Sequence, residues 1–214
     1  RFEPFPLSSQ VRVPGYGTDI PRRGQNLAVS LAHALNPSLI NEFRFGYTRV
    51  GMGVIQENQS SDINQAVGLP NLSAHPRDIG LSQITITGFS PLGDEFTSPQ
   101  ISAADTFQIL DTITWSTGRH LVKTGLDFRY IRQGAYRDVQ SRGFLNFSDR
   151  YMTGNALADL LMGFPVVTGG ATLDNPQRLR STSWSSFLQD SYRVLPNLTI
   201  TAGLRYEYVG PAVD

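Results

Sequence analysis

Three times in this chain a long alternating run of apolar and polar residues meets a turn of only a few residues and returns as a second long run. The turns are Asn36-Pro37-Ser38, Ser116-Thr117-Gly118-Arg119 and Leu195-Pro196-Asn197, with long segments rich in Gly, Pro, Ser and Asn between them. The connections therefore alternate short, long, short, long, short. Tight turns at one end and long loops at the other are how transmembrane β-barrels are connected.

Alternation assigns residues to faces, because successive side chains of a strand point to opposite sides. Before the first turn Leu27, Val29, Leu31, His33 and Leu35 oppose Ala28, Ser30, Ala32 and Ala34. After it Phe43, Phe45 and Tyr47 oppose Glu42, Arg44, Gly46 and Thr48. In the second hairpin Leu126, Phe128 and Tyr130 oppose Lys123, Gly125, Asp127 and Arg129. In the third, Leu204, Tyr206 and Tyr208 oppose Gly203, Arg205 and Glu207.

The expectation is an all-β fold, an antiparallel up-and-down barrel segment with hairpins near 25–50, 105–132 and 180–209. Residues 1–24 are expected as loop or extended segment, and 25–214 as part of the barrel. The lipid-facing candidates are Phe43, Phe45, Tyr47, Leu126, Phe128, Tyr130, Leu204, Tyr206 and Tyr208. The lumen-facing candidates are Glu42, Arg44, Lys123, Asp127, Arg129, Arg205 and Glu207. One residue challenges this register. Asp111 falls in the apolar row of Phe107, Ile109, Ile113 and Trp115, where a charge at mid-membrane would cost about 2–4 kcal/mol. It must therefore lie near an interface, sit at a bulge, or refute the register.

The connection over 51–104 carries turn residues throughout, and only Ile84 to Phe89 offers a β-prone patch, so it is expected to be largely structureless. In the second long connection Gly143 to Phe147 reads as a short strand. Ala156, Leu157, Leu160 and Leu161 at helical spacing, with Asn155 as N-cap and a stop over Gly163 to Pro165, predict a short helix near 155–162.

Composition narrows function more than fold. No apolar run approaches the roughly 18 to 20 residues of a membrane-spanning helix. The absence of cysteine removes disulfide scaffolds and thiol chemistry. Eighteen basic and eighteen acidic residues, without runs of one sign, argue against nucleic acid as a partner. The chain opens on Arg1 without an initiator Met and ends just past a strand, which suggests an internal piece of a longer protein.

Alternation alone also suits a soluble or surface-attached β-sandwich that binds glycan or protein. Strand length favours the barrel, since spanning strands need about nine to eleven residues against about five or six in soluble sheets. Aromatic residues gathered toward strand ends favour it too, because such rings settle at the membrane interface.

The stretch from Asn36 to Arg49, Asn-Pro-Ser-Leu-Ile-Asn-Glu-Phe-Arg-Phe-Gly-Tyr-Thr-Arg, resembles the NPxLxNEFRxGYxR segment of Oar-like TonB-dependent outer-membrane proteins, abundant in acidobacteria. Further segments are similar to that family in the same order: Phe107 to Trp115, Gly118 to Gly125, Gly154 to Pro165, and Gln189 through Glu207. The resemblance implies a receptor or transporter in the bacterial outer membrane. It also implies a large barrel in contact with outer-membrane lipid, a plug domain, the energy-coupling TonB protein as partner, and an external ligand it does not identify.

Nothing in the chain marks an enzyme. His33, His75 and His120 show no ligand spacing, so no metal site is expected. Ser90 in Gly88-Phe89-Ser90-Pro91-Leu92-Gly93 fails the nucleophile-elbow pattern, and Gly15-Tyr16-Gly17 lacks the third glycine of a phosphate loop. No two carboxylates stand out as an acid and base, and no cofactor is called for. Asn58, Asn71, Asn146 and Asn197 open N-x-S/T triplets of the kind common by chance in such loops. Asn71, Asn146, Phe89, Phe96 and Phe147 in the long connections could grip a ligand, but packing among the loops is their simpler use.

Overall fold

The computed structural model describes residues 2–3, 15–59, 61–73, 75–172 and 176–214. In chain order its elements are β1 (Phe2–Glu3), β2 (Thr18–Asp19), β3 (Arg22–Asn36), β4 (Leu39–Gln56), α1 (Ile63–Ala66), a 3-10 turn (Pro76–Asp78), β5 (Gln83–Ile86), β6 (Gln100–Thr117), β7 (His120–Arg137), β8 (Phe144–Phe147), α2 (Ala156–Met162), β9 (Val167–Gly169), β10 (Gln177–Leu195) and β11 (Leu198–Val209). They divide into two compact units, and β4, β6 and β7 supply residues to both.

The strand unit comprises Arg23–Val50, Ala103–Gly134 and Gln177–Asp214. Its sheet runs in the order β3, β4, β6, β7, β10, β11. Pro37–Ser38, Gly118–Arg119 and Pro196–Asn197 form the tight turns between paired strands. Ser38 N–H donates to Asn36 Oδ1 (2.9 Å), an Asx turn that closes the first hairpin beside a proline that could not extend the ladder. Gly118 turns the second with φ of 58°, a conformation that suits a residue without Cβ. β10 and β11 are antiparallel from Ser183↔Val209 to Leu195↔Leu198, with one irregularity between Arg193 and Leu195.

The strands exceed the expected hairpin bounds. β3 begins at Arg22, β4 reaches Gln56, β6 begins at Gln100, β7 reaches Arg137 and β10 begins at Gln177. The loop expected over 1–24 falls largely on residues 1 and 4–14, which lie outside the described residues. Its described part holds β2, which pairs with the far end of β4 through Thr18↔Gln56 and Asp19↔Ile55, and the first residues of β3.

The loop unit comprises Arg1–Arg22, Gly51–Ser102 and Ala135–Pro176. The expectation of a structureless 51–104 is overturned: this connection folds with the second long connection around one small sheet. β5 pairs in parallel with β8, Gln83↔Phe144 through Ile86↔Phe147, and β9 pairs antiparallel with β8. Ile86, Phe147 and Ala156 form the buried apolar centre, with Ile84, Leu145 and Leu160 against it. The α2 boundaries follow from local chemistry: Asn155 Oδ1 accepts from Leu157 N (3.0 Å) and Ala158 N (3.1 Å), and Gly163 ends the helix in the left-handed region at φ 73°.

Candidate functional site

The sheet of the strand unit presents two chemically different faces. On one, the rings of Tyr47 and Phe107 lie 5.0 Å apart, and those of Phe107 and Tyr130 6.4 Å apart. Trp184 contacts Tyr206 and Tyr208 at 5.3 and 6.4 Å. Strand alternation adds Phe43, Phe45, Leu126, Phe128, Leu188 and Leu204 to this face. Leu126, Leu188 and Leu204 are 61, 57 and 79 % exposed, and the β3 row of Leu27, Val29, Leu31 and Leu35 is exposed as well. A contiguous apolar area on this scale goes far beyond the scattered exposed leucines of a soluble monomer. The rows do not converge on a closed interior, as a sandwich requires.

The opposite face is polar and glycine-notched. Gln108 Nε2 donates to both carboxylate oxygens of Asp127 (3.0 and 3.2 Å), and a Cβ on Gly46 would meet Gln108 Cβ at 3.9 Å. Arg205 pairs with Glu207 through Nε and donates from Nη2 to Ser185 Oγ (3.0 Å), while Arg44 pairs with Glu42 (3.3 Å). Lys123 and Arg129 stand on this face by alternation. Phe187 also lies here, its ring over Gly125. A Cβ at that glycine would come within 2.7 Å of both Phe187 Cε1 and the Asp111 carbonyl oxygen.

The acidic residues Asp105, Asp190 and Asp111 on the apolar face each have a polar partner. Away from the tight turns, buried Asp105 accepts from Tyr47 Oη (2.8 Å) and Arg132 Nε (3.0 Å) and pairs with Arg49 (3.4 Å). Toward the turns, Asp190 contacts His120 Nδ1 (2.6 Å), whose ring stacks on Tyr192 at 4.4 Å. Asp111 is the residue that challenged the register, and no bulge is needed to place it. Asn41 Nδ2 donates to its Oδ1 at 2.7 Å. Phe187, Asp105 and these polar partners escaped the sequence reading, since only neighbouring strands reveal who faces whom.

The loop unit is organised around Arg142 and Asn64. Arg142 donates from Nε to Ile79 O (3.2 Å), from Nη1 to Ser98 O (2.9 Å) and from Nη2 to Gln56 Oε1 (2.8 Å), and lies 3.7 Å from Asp94 Oδ2. Burial pushes the Asp94 carboxyl above its usual range, against the opposing pull of Arg142 and of a hydrogen bond from Leu81 N (3.0 Å). Burial likewise lowers the Arg142 guanidinium, against the pull of Asp94 and Asp78. Burial wins at Asp94 because Arg142 spends its N–H groups on oxygens other than the carboxylate. Gly80 leaves the room for this pair, since a Cβ there would collide with Asp94 Oδ2 and stand 2.8 Å from Arg142 Nε. Fully buried Asn64 accepts from Ser82 N (2.7 Å) and Ser82 Oγ (3.1 Å), tying α1 to the start of β5. Arg77 grips buried Asp138 through Nε (3.0 Å) and Nη2 (2.8 Å) and covers the Tyr136 ring at 4.7 Å.

Of the loop residues considered for ligand contact, Phe147 is core and Asn71 donates to Asp62 (2.7 Å), while Phe89 and Phe96 are exposed. Among the described residues no group of three His, Asp or Glu side chains is placed to hold a metal. Among the described residues no helix is long and apolar enough to cross a membrane, which leaves crossing by strands open.

Comparison with known proteins matches the family model of an outer membrane beta barrel domain over residues 1–214. No curated protein and no solved structure matches the chain.

Proposed function

The chain belongs to the outer membrane beta barrel domain family and resides in the bacterial outer membrane, and from that premise we propose that it is barrel wall and loops of an Oar-like TonB-dependent transporter. In this reading the protein is non-enzymatic and binds or imports an external nutrient. The apolar face meets outer-membrane lipid, the polar face lines the lumen, the tight turns face the periplasm and the long connections face outward. A plug domain and the energy-coupling TonB protein complete the machine, and nucleic acid is no partner.

One observation carries the proposal beyond a generic barrel: the ordered motif series from Asn36 to Glu207 falls on and between the strands of the sheet. The loop unit adds support, because a cross-braced connection offers a preorganised surface for capture at lower entropic cost than a slack loop. The test is covalent crosslinking in intact cells of the native full-length protein, followed by purification and probing for the energy-coupling TonB protein. Recovery of that protein in a crosslinked complex supports the transporter. Its absence under conditions where another TonB-dependent receptor of the same cell is captured contradicts it.

A further inference from the structure

The polar face of the strand unit is unevenly charged. Its carboxylates are matched: Glu42 by Arg44, Asp127 by Gln108 and Glu207 by Arg205. Toward the tight turns the balance is lost. Among the described residues Arg119, Lys123 and Arg193 find no carboxylate partner, and Arg119 spends one N–H on the Val194 carbonyl at 3.4 Å. At that end Asp190 alternates onto the other face and is held by His120.

Arg119 and Arg193 border a concavity. A cleft of about 520 Å³ opens between the Gly118–Arg119 turn and the ends of β7, β10 and β11, its lining including Ser116, Arg119, His120, Ser191, Arg193 and Thr199. The Arg193 N–H donates to the Arg119 carbonyl at 2.8 Å, which fixes the two backbones side by side. Ser191 and Thr201 share a hydroxyl hydrogen bond at 2.9 Å, and Thr199 faces Arg193 across the β10–β11 pair. Guanidinium and hydroxyl groups from several chain segments thus line one cleft.

We propose that this cleft binds a phosphate group. A planar carboxylate is satisfied by one guanidinium fork, whereas a tetrahedral oxyanion takes donors from several directions, which is what two arginines and flanking hydroxyls supply. The uncompensated charge also concentrates anions at this end of the polar face. The phosphate can be free in solution or belong to a phospholipid headgroup. The inference rests on the face assignment of the barrel wall and is independent of transport or its energy source.

The experiment titrates the native full-length protein in neutral detergent with inorganic phosphate by calorimetry. Saturable binding is expected, weakened by about tenfold or more in Arg119→Gln/Arg193→Gln and unchanged in Glu42→Gln. Repeating the titration in bilayers containing phosphatidylglycerol separates the sources: competition assigns the site to a headgroup, and undiminished binding assigns it to free phosphate. As a check that tolerates a folding defect in the double variant, phosphate should slow thiol labelling of Thr199→Cys but not of Glu42→Cys. Absence of binding, equal affinity in the arginine variant, or unprotected Thr199→Cys overturns the proposal.

Discussion

Asn41 and Asp111 meet at 2.7 Å through an amide-to-carboxylate hydrogen bond, seventy residues apart in sequence and on the same face as Phe43, Ile109 and Ile113. Asn41 also reaches toward the Thr112 carbonyl at 3.5 Å. A carboxylate in an apolar row is tolerable when a neighbour supplies the donors that lipid cannot. Asn41→Leu should therefore destabilise the folded protein by about 1–3 kcal/mol, because the carboxylate loses its donor. Asn41→Leu/Asp111→Leu should recover most of that loss, as replacing both partners of a buried polar pair by apolar groups often does. Denaturant unfolding in lipid, arranged as a double-mutant cycle, measures the coupling. Additive effects would show that the pair contributes nothing.

On the opposite face, Phe187 occupies the space that a side chain at position 125 would need. Gly125→Ala should cost about 1–3 kcal/mol, the usual penalty for overpacking. In a Phe187→Ala background the cost should shrink without vanishing, since the Asp111 carbonyl still lies 2.7 Å from the new Cβ. The same unfolding assay reads both numbers.

The loop unit should depend on pH through Asp94. Its native carboxyl binds a proton more tightly than the ordinary aspartate carboxyl of the unfolded chain, at 3.8, because burial raises it. The stability contributed here is thus fullest below pH 3.8 and is lost as pH rises through the raised native value. Hydrogen exchange of the β5 and β8 amides across the acid range should show protection falling with rising pH. In Asp94→Asn that dependence should disappear, and protection at neutral pH should stay near the wild-type level at low pH, because the amide is uncharged as the protonated carboxyl is. A pH dependence unchanged in the variant would place its origin elsewhere.

Phe147 is 2 % exposed and anchors the small apolar centre with Ile86 and Ala156. Phe147→Ala should destabilise the loop unit by about 3–5 kcal/mol. Limited proteolysis should then cleave within 83–102 or 135–172 while the strand unit stays protected. Equal susceptibility of wild type and variant would show that the centre does not hold these connections together.

What was legible in the sequence follows from which forces write a period. The strands β4, β7 and β11 were readable because Phe43 to Tyr47, Leu126 to Tyr130 and Leu204 to Tyr208 alternate strictly with polar or glycine positions. The α2 helix was readable because Asn155 and Gly163 are local start and stop signals. The fold of 51–104 was not, because its interior is built largely from Asn64, Asp78, Ser82, Asp94 and Arg142, which carry no hydrophobic period. Gly80 and Gly93 were visible only as turn residues. Their actual constraint is a close approach, at Gly93 to the Ser82 carbonyl, and it exists only once distant segments have met.

The central claim is that one face of the strand unit meets lipid and the other meets water. The chain has no native cysteine, so single spin labels along β7 and β11 of the full-length protein in bilayers report that division without interference from within it. Labels at Leu126, Phe128, Leu204 and Tyr206 should collide preferentially with oxygen dissolved in lipid, and labels at Lys123, Asp127, Arg129 and Arg205 with a water-soluble nickel chelate. A clear period of two in the ratio of the accessibilities is the predicted result; a flat profile, or one with the faces exchanged, contradicts the account.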